Sequence, residues 1–433
     1  MEQDSITMSS SIVSTVGRRV WDSRARPTIE VEITLADGTV ARAIAPAGAS
    51  TGSGEAVDRR DGGPQFGGLD VSHAIASVNG EIAKALHGRD PHDQKGIDAL
   101  LIKLDGTPNK ARLGGNSMIA TSMAVLHAAA LSSKKPLWHY LAGDGPVSIP
   151  VPEIQIFGGG AHAARRVDIQ DFMVICPTAG SFAEALDRTA EVYRAAGSLL
   201  KARGLLQGVA DEGGFWPAFE SNEEALDMLV KAIEAAHFQP GKDVSISLDV
   251  AASEFGAKGR YRLARDGREI DTEGMIQLLS GWIDRFPIIS VEDPVAEDDA
   301  AGFKAFVARE GKRVQVIGDD FLVTDAARVE RSAADKSCTA VLIKPNQAGT
   351  IFETKAALDA GKRNGFGTIV SARSGETEDT TIAHLAVGWN AGQFKVGSIS
   401  RGERTAKWNE MLRIEGQLGA KARFAGDALV YAR

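Results

Sequence analysis

The chain has 433 residues, 43% of them hydrophobic, with 57 acidic against 49 basic side chains and a net charge of −8. That length and apolar content suffice for one large core and a smaller one, so two globular domains are expected. The negative balance opposes long-range attraction to nucleic acid or anionic lipid, and neither is expected as a partner.

Residues 1–11, MEQDSITMSSS, are polar. They have neither the apolar core of a signal peptide nor the ~20 apolar residues of a membrane span. They read as a frayed tail of a cytoplasmic protein, with Met8 as an alternative start. TIEVEITLADGTVARAIAP alternates apolar and polar residues on both sides of Asp37-Gly38, which predicts an antiparallel hairpin. SHAIASVNGEIAKALHG, DPHDQKGIDALLIKLDG and GGNSMIATSMAVLHAAALSSKKPLWHYL carry helical periodicity. Residues 12–143 are therefore expected to form a small α+β domain.

The remainder, 144–433, changes rhythm from about Val151. Short apolar runs such as DFMVICP, VSISLDVAASE, PIISVEDP, VQVIGDD, TAVLIKPNQ, GTIVSARS and QFKVGS alternate with helical stretches. Alternation of this kind predicts an α/β fold with a parallel sheet, and so many units suit a closed (β/α) barrel better than an open doubly wound sheet. Cys176 and Cys338 lie far apart, match no zinc or redox spacing, and read as small core residues.

Polar residues cluster where these runs end. Asp249 closes SISLD, Glu292 closes IISVE, Asp319 closes VQVIGD, Lys344 closes AVLIK, Arg373 follows TIVSA and Lys395 closes GQFK. Each carboxylate alone could be a helix cap or a turn residue. In a barrel, however, strand C-termini converge on one mouth, and all six groups would share a pocket. Carboxylates gathered there repel one another unless a cation sits among them, and an all-oxygen set suits Mg2+. Lysines are seldom buried without a reason. Beside cations and each other, Lys344 and Lys395 are expected to have lowered pKa values, fitting one of them to act as a base. A metal on a substrate carboxylate and a neutral lysine together can remove the adjacent proton.

The segments VWDSRARPTIEVE, GASTGSGEA, LDGTPNKARLGGNS, DEGGF, LDVAASEF, VEDP, GDDFLVT, SGETEDTTIAHLAV and RTAKWNEMLRIE are similar, in order and spacing, to those of the enolase family. The resemblance covers nearly the whole chain and implies a (β/α)8 barrel of enolase type behind a smaller N-terminal domain. It implies two Mg2+ ions, the first on Asp249, Glu292 and Asp319, the second on Ser50 and the substrate phosphate. It further implies Lys344 as base at C2, Lys395 as partner of the substrate carboxylate and enolate, and Arg373 and Ser374 as phosphate holders. Glu212 would assist loss of the C3 hydroxyl, with Asp171 and Gln170 beside it, and His162 would close over the substrate. Enolases are commonly dimers, some octamers, and Arg24 falls where the family places an interface arginine.

Three positions depart from the resemblance: Ala372 stands for the usual His, Asp171 for Glu and Gly158 for Asn. All three remove side-chain volume, which implies an enlarged pocket and weakened dehydration of 2-phosphoglycerate. Arg165 and Arg166 follow His162 and are either a solvated pair or contacts for extra negative charge on substrate. Pro345, directly after Lys344, has no evident explanation. The favoured expectation is a diverged enolase acting on a bulkier or more anionic phosphorylated or phosphonate substrate, such as that of carboxyphosphonoenolpyruvate synthase. An ordinary phosphopyruvate hydratase is the alternative, and a catalytically silent binding protein is disfavoured by the retained charges.

Overall fold

The computed structural model describes residues 10–265 and 267–429. Most of the expected tail lies outside the described residues, but Ser10 is buried and the Ser11 carbonyl accepts from the Ala36 amide at 2.9 Å. β1 (Ile12–Trp21), β2 (Pro27–Leu35) and β3 (Val40–Ile44) then form an antiparallel sheet in that order. Period-two alternation turns Ile29, Val31, Ile33 and Leu35 inward, each no more than 1% exposed. The turn between β2 and β3 is the one predicted: Asp37 Oδ1 accepts from the Thr39 amide at 2.8 Å, and Gly38 takes φ +85°.

Three helical segments cover that sheet. α1 begins at Ser72–Ser77 and runs through a π turn, Val78–Ile82, into Ala83–Leu86. α2 spans Gln94–Asp105 and is capped by Asp93, whose side chain accepts from the Gly96 amide at 3.0 Å. The third predicted stretch splits into α3 (Gly115–Ser132) and α4 (Leu137–Ala142) at Pro136, which the helix cannot pass. Nearly all of α3 is buried, which its small residues and methionines permit.

The larger unit is a closed barrel. Its staves are β4 (Val151–Gly158), β5 (Asp171–Ile175), β8 (Ser245–Asp249), β12 (Ile288–Glu292), β13 (Gln315–Gly318), β14 (Ala340–Ile343), β15 (Gly367–Ser371) and β16 (Gln393–Ser398). They neighbour one another in that order, and pairing of β16 with β4 closes the ring. β6 (Leu206–Val209) and β7 (Phe215–Pro217) extend from β4. β9 (Gly256–Ala257), β10 (Arg260–Leu263) and β11 (Arg268–Asp271) form a small sheet of their own.

The expected all-parallel sheet needs one correction, because β5 runs antiparallel to both β4 and β8. No crossover helix joins β4 to β5: residues 159–170 are a loop with one 3-10 turn, so the chain returns directly. The consequence is functional. Asp171 opens its strand rather than closing it, yet pairs with Asp249, which closes β8, and so stands at the same mouth.

Outside the barrel, helices start at Ser181, Ser221 and Thr350, whose hydroxyls accept from the amides of Glu184, Glu224 and Glu353 three residues on. The small domain docks on the barrel mouth. Ala47 bridges to Gly375, and the Ile44 amide donates to Asp379 at 2.9 Å. A Cβ on Gly375 would lie 2.4 Å from Asp22 Oδ2 and 2.5 Å from the Arg24 guanidinium, so only glycine permits this approach. Arg24 itself is buried within the chain, donating to the carbonyls of Ala47 and Gly48. Cys176 and Cys338 are buried free thiols, and burial pushes the Cys176 thiol up to about 12. Among the described residues, no helix is long and apolar enough to cross a membrane.

Candidate active site

Strand ends deliver five of the six charges read from the sequence, and the sixth, Lys395, lies inside β16 and not at its end. Glu292 and Asp249 are register partners at the tips of β12 and β8, and Lys395 on β16 lies level with Ser371 on β15. Asp319 follows β13 and Lys344 follows β14 by one residue. All five side chains are buried. The Lys395 ammonium bridges Asp249 at 2.9 Å and Glu292 at 2.8 Å, and the Lys344 ammonium donates to Asp319 Oδ2. Gln347 and Gln170 add amide donors to Asp319 (2.9 Å) and Asp249 (3.1 Å).

The lysine pKa values move opposite to expectation. Burial lowers both, but Asp319 lifts Lys344 above the ordinary lysine value, and Asp249 and Glu292 lift Lys395 well above it. Burial and the neighbouring Asp249 likewise hold Glu292 well above the carboxylate range. Carboxylates outnumber the ammoniums here, so both lysines and Glu292 bind protons tightly, whereas burial of Asp319 is outweighed by the adjoining Lys344 ammonium, which holds it below the usual carboxylate range. The same imbalance fits a hard dication. Glu292 Oε1 is buried with no partner among the described residues, and the donors that face one another are carboxylate oxygens. Asp293 supports the set from behind by accepting from the Asp319 and Asp320 amides at 2.9 and 2.8 Å. Among the described residues, the three carboxylates whose ligand atoms lie within 4.8 Å of one another are Asp293, Asp319 and Asp320, a set that shares only Asp319 with the one expected from the sequence.

Facing the lysines is a second group carried by loops. His162 lies in the β4–β5 loop, with Nδ1 2.9 Å from Asp171 Oδ1, and Nε2 2.9 Å from Ser374 Oγ and 3.6 Å from Glu212 Oε1. Burial opposes its charge, but Asp171 and Glu212 together raise its pKa to about 9. Asp171 Oδ1 also accepts from Gln155 of β4, while its Oδ2 has no partner among the described residues. Gln155 in turn accepts from the Gly214 amide at 2.8 Å, tying Asp171 to the segment that bears Glu212.

At the third side, the Arg373 guanidinium is already engaged. It reaches Glu55 Oε2 and Asn346 Oδ1 at 3.0 Å each, and the Ser50 carbonyl at 2.9 Å. Glu55, Asn346, Gln155 and Gln347 were not anticipated. A signal existed for Gln155: with Glu153 it alternates with apolar residues in VPEIQIFG, the inward face of a barrel strand. Glu55 gave no such signal because it sits in a turn far from any strand.

Ser50, His162, Gln170, Glu212, Ala372 and Ser374 line one narrow cleft of about 20 Å³, together with Asp171, Asp249, both lysines and Arg373. The expected enlargement is not what the three small residues produce. A Cβ on Gly158 would lie 2.4 Å from the Ala210 methyl, so that space is filled, and Asp171 is enclosed by Gln155 and His162. Ala372 alone of the three departures leaves a methyl facing the cleft. Arg165 and Arg166 are not among the lining residues. Arg165 points to Glu254, 2.8 Å away, with its side chain 65% exposed. Pro345 opens a short buried helix, Pro345–Ala348, at the first position, where its missing N–H is no loss, which accounts for a residue the sequence left unexplained.

Comparison with known proteins agrees with this architecture. The family model described as "Enolase, N-terminal domain" matches residues 12–141, and that described as "Enolase, C-terminal TIM barrel domain" matches residues 146–433. The chain is 50% identical, over 416 residues and 95% of each chain, to the protein named Enolase 1 of Desulfitobacterium hafniense (strain Y51).

Proposed function

The chain belongs to the enolase family as an enolase-type lyase, and we propose that it interconverts 2-phosphoglycerate and phosphoenolpyruvate with Mg2+. The observation that carries the proposal is the pair of buried ammoniums, Lys344 and Lys395, set among Asp249, Glu292 and Asp319 at strand ends. Asp249, Glu292 and Asp319 would hold one Mg2+, and Ser50 would join a second with the substrate phosphate. When bound, Mg2+ supplies positive charge that stabilises the extra negative charge on the substrate carboxylate and relieves the lysines of their carboxylate neighbours.

Lys344 takes the C2 proton at its Nζ. Lys395 faces the carboxylate whose charge grows as that proton leaves, and its ammonium would stabilise that charge. Glu212 gives a proton to the departing C3 hydroxyl. His162, charged at neutral pH by Asp171 and Glu212, adds positive charge at the same end. Arg373 and Ser374 hold the phosphate, which requires Arg373 to share its guanidinium between substrate and Glu55.

Ala372 supports a second reading, a bulkier or more anionic substrate that uses the room beside it. Neither the comparisons nor the modest cleft favours that reading or a carboxyphosphonoenolpyruvate synthase. The test is formation of phosphoenolpyruvate from 2-phosphoglycerate with and without Mg2+. Turnover that depends on Mg2+ is expected. No turnover by a folded, Mg2+-binding protein would overturn the proposal and leave the second reading.

A further inference from the structure

The loop that carries His162 is built under tension. After the 3-10 turn Gly160–Ala163, two consecutive residues with side chains, Ala164 (φ 50°) and Arg165 (φ 57°), take left-handed backbone conformations. L-residues adopt such conformations only when their surroundings hold them there. The Asp211 amide donates to the His162 carbonyl at 3.1 Å, and the loop's other backbone anchors are internal or lie at its far end. The Arg165 amide donates to the Gly160 carbonyl at 2.7 Å and the Gly160 amide to the Val167 carbonyl at 3.0 Å. Asp168 is held by Asn222 and by the Ala264 amide.

At the strained residue itself, the tie to the rest of the protein is Arg165. Its guanidinium reaches Glu254 twice, the carboxylate at 2.8 Å and the backbone carbonyl at 3.2 Å. Glu254 ends a 3-10 turn, Ala252–Glu254, five residues after the β8 tip at Asp249, and therefore belongs to the rim of the barrel. We infer that Arg165 is a positioning residue which, by clasping Glu254, holds the loop in the conformation that sets His162 against Asp171 and Ser374. Arg165 thus acts on the reaction through His162 and touches no substrate.

Without the clasp, the strained turn populates other conformations and only a fraction of molecules present His162 correctly. Substrate still selects that fraction, so KM rises in inverse proportion while kcat at saturation changes little. An exposed, double-contact pair of this kind shifts the ratio of open to closed loop about fivefold, equivalent to about 1 kcal/mol, which sets the ceiling on the rise in KM.

The experiment compares Arg165→Met, Glu254→Gln and the double variant. It measures steady-state kinetics on 2-phosphoglycerate with Mg2+, and amide hydrogen exchange at Gly160 and Arg165. In all three variants KM is expected to rise, by up to about fivefold, at nearly constant kcat, the double being no worse than either single. Exchange at the two amides should quicken by about the same factor, and Arg165→Lys should recover part of both losses. If Arg165→Met alone raised KM while Glu254→Gln left KM and exchange unchanged, Arg165 would be a substrate contact and the inference would fail. Unchanged exchange in all variants would also overturn it. The kinetic arm rests on the proposed reaction. Should the wild-type protein not turn over 2-phosphoglycerate, the exchange arm still decides, so the two failures are distinguishable.

Discussion

The two halves of the cleft are built differently. Lys344, Lys395, Asp249, Glu292 and Asp319 sit on or one residue past parallel barrel strands, whose ladders fix their relative heights. His162 and Glu212 sit on loops, and Asp171 begins the one antiparallel stave, so their arrangement depends on side-chain bonds to Gln155, Ser374 and the loop itself. The residues of the strand half named above, to which the proposal assigns the C2 proton, each match the family resemblance. Of the three departures, Asp171 begins β5 and Ala372 follows β15 by one residue, so both lie at the barrel rim, on the side to which the proposal assigns the leaving hydroxyl. The difference shows where this scaffold admits change: strand ladders fix backbone heights in a closed barrel, so the departures at the cleft are losses of side-chain size at rim positions, with Gln155 and His162 holding the shortened Asp171.

The largest effect expected on this comparison follows from emptying the strand half. Lys395→Met leaves Asp249 and Glu292 facing each other, buried and uncompensated, which should cost about 3–5 kcal/mol in Mg2+-free denaturation. Added Mg2+ should restore part of that stability by binding the freed carboxylates. Equal stability with and without Mg2+ would show that these oxygens do not hold the ion.

Next come changes to the loop half, which should impair turnover without threatening the fold. Asp171→Ala removes the acceptor of both His162 and Gln155, and kcat is expected to fall on the order of 100-fold through misplacement of His162. A wild-type kcat in that variant would separate His162 from the chemistry. In the opposite direction, Ala372→His should raise kcat roughly tenfold if that position lacks a group the leaving hydroxyl needs. A lowered kcat would mean that the methyl makes room for a different substrate.

A smaller effect appears in the pH dependence of stability. His162 has a folded pKa raised to about 9, above the roughly 6.5 of a free histidine. Its contribution is therefore complete below about pH 6.5 and is lost as pH rises toward 9. Denaturation midpoints across that window should decline in the wild type and decline less in Asp171→Asn, which lacks the main raising partner.

Much of this was legible before any coordinates. The carboxylates and lysines announced themselves because a polar residue ending an apolar run is conspicuous, and barrel topology converts strand ends into neighbours. The Asp37-Gly38 hairpin was equally plain, since its turn chemistry is local. What stayed hidden was relational. Nothing in DFMVI says that this strand runs backwards, because direction is set by the short connection before it. The raised lysine pKa values follow from how many carboxylates face each ammonium, a count the sequence does not contain. Volume removed at Gly158 reads as space in one dimension and is filled by Ala210 in three.

The central claim is that Lys344 takes the C2 proton. The most direct test is exchange of the C2 hydrogen of 2-phosphoglycerate in deuterated water with Mg2+, followed by NMR for wild type and Lys344→Ala. The account predicts exchange by the wild type and a loss of about 100-fold or more in the variant, the scale of a general base. Exchange at the wild-type rate in folded Lys344→Ala would contradict it.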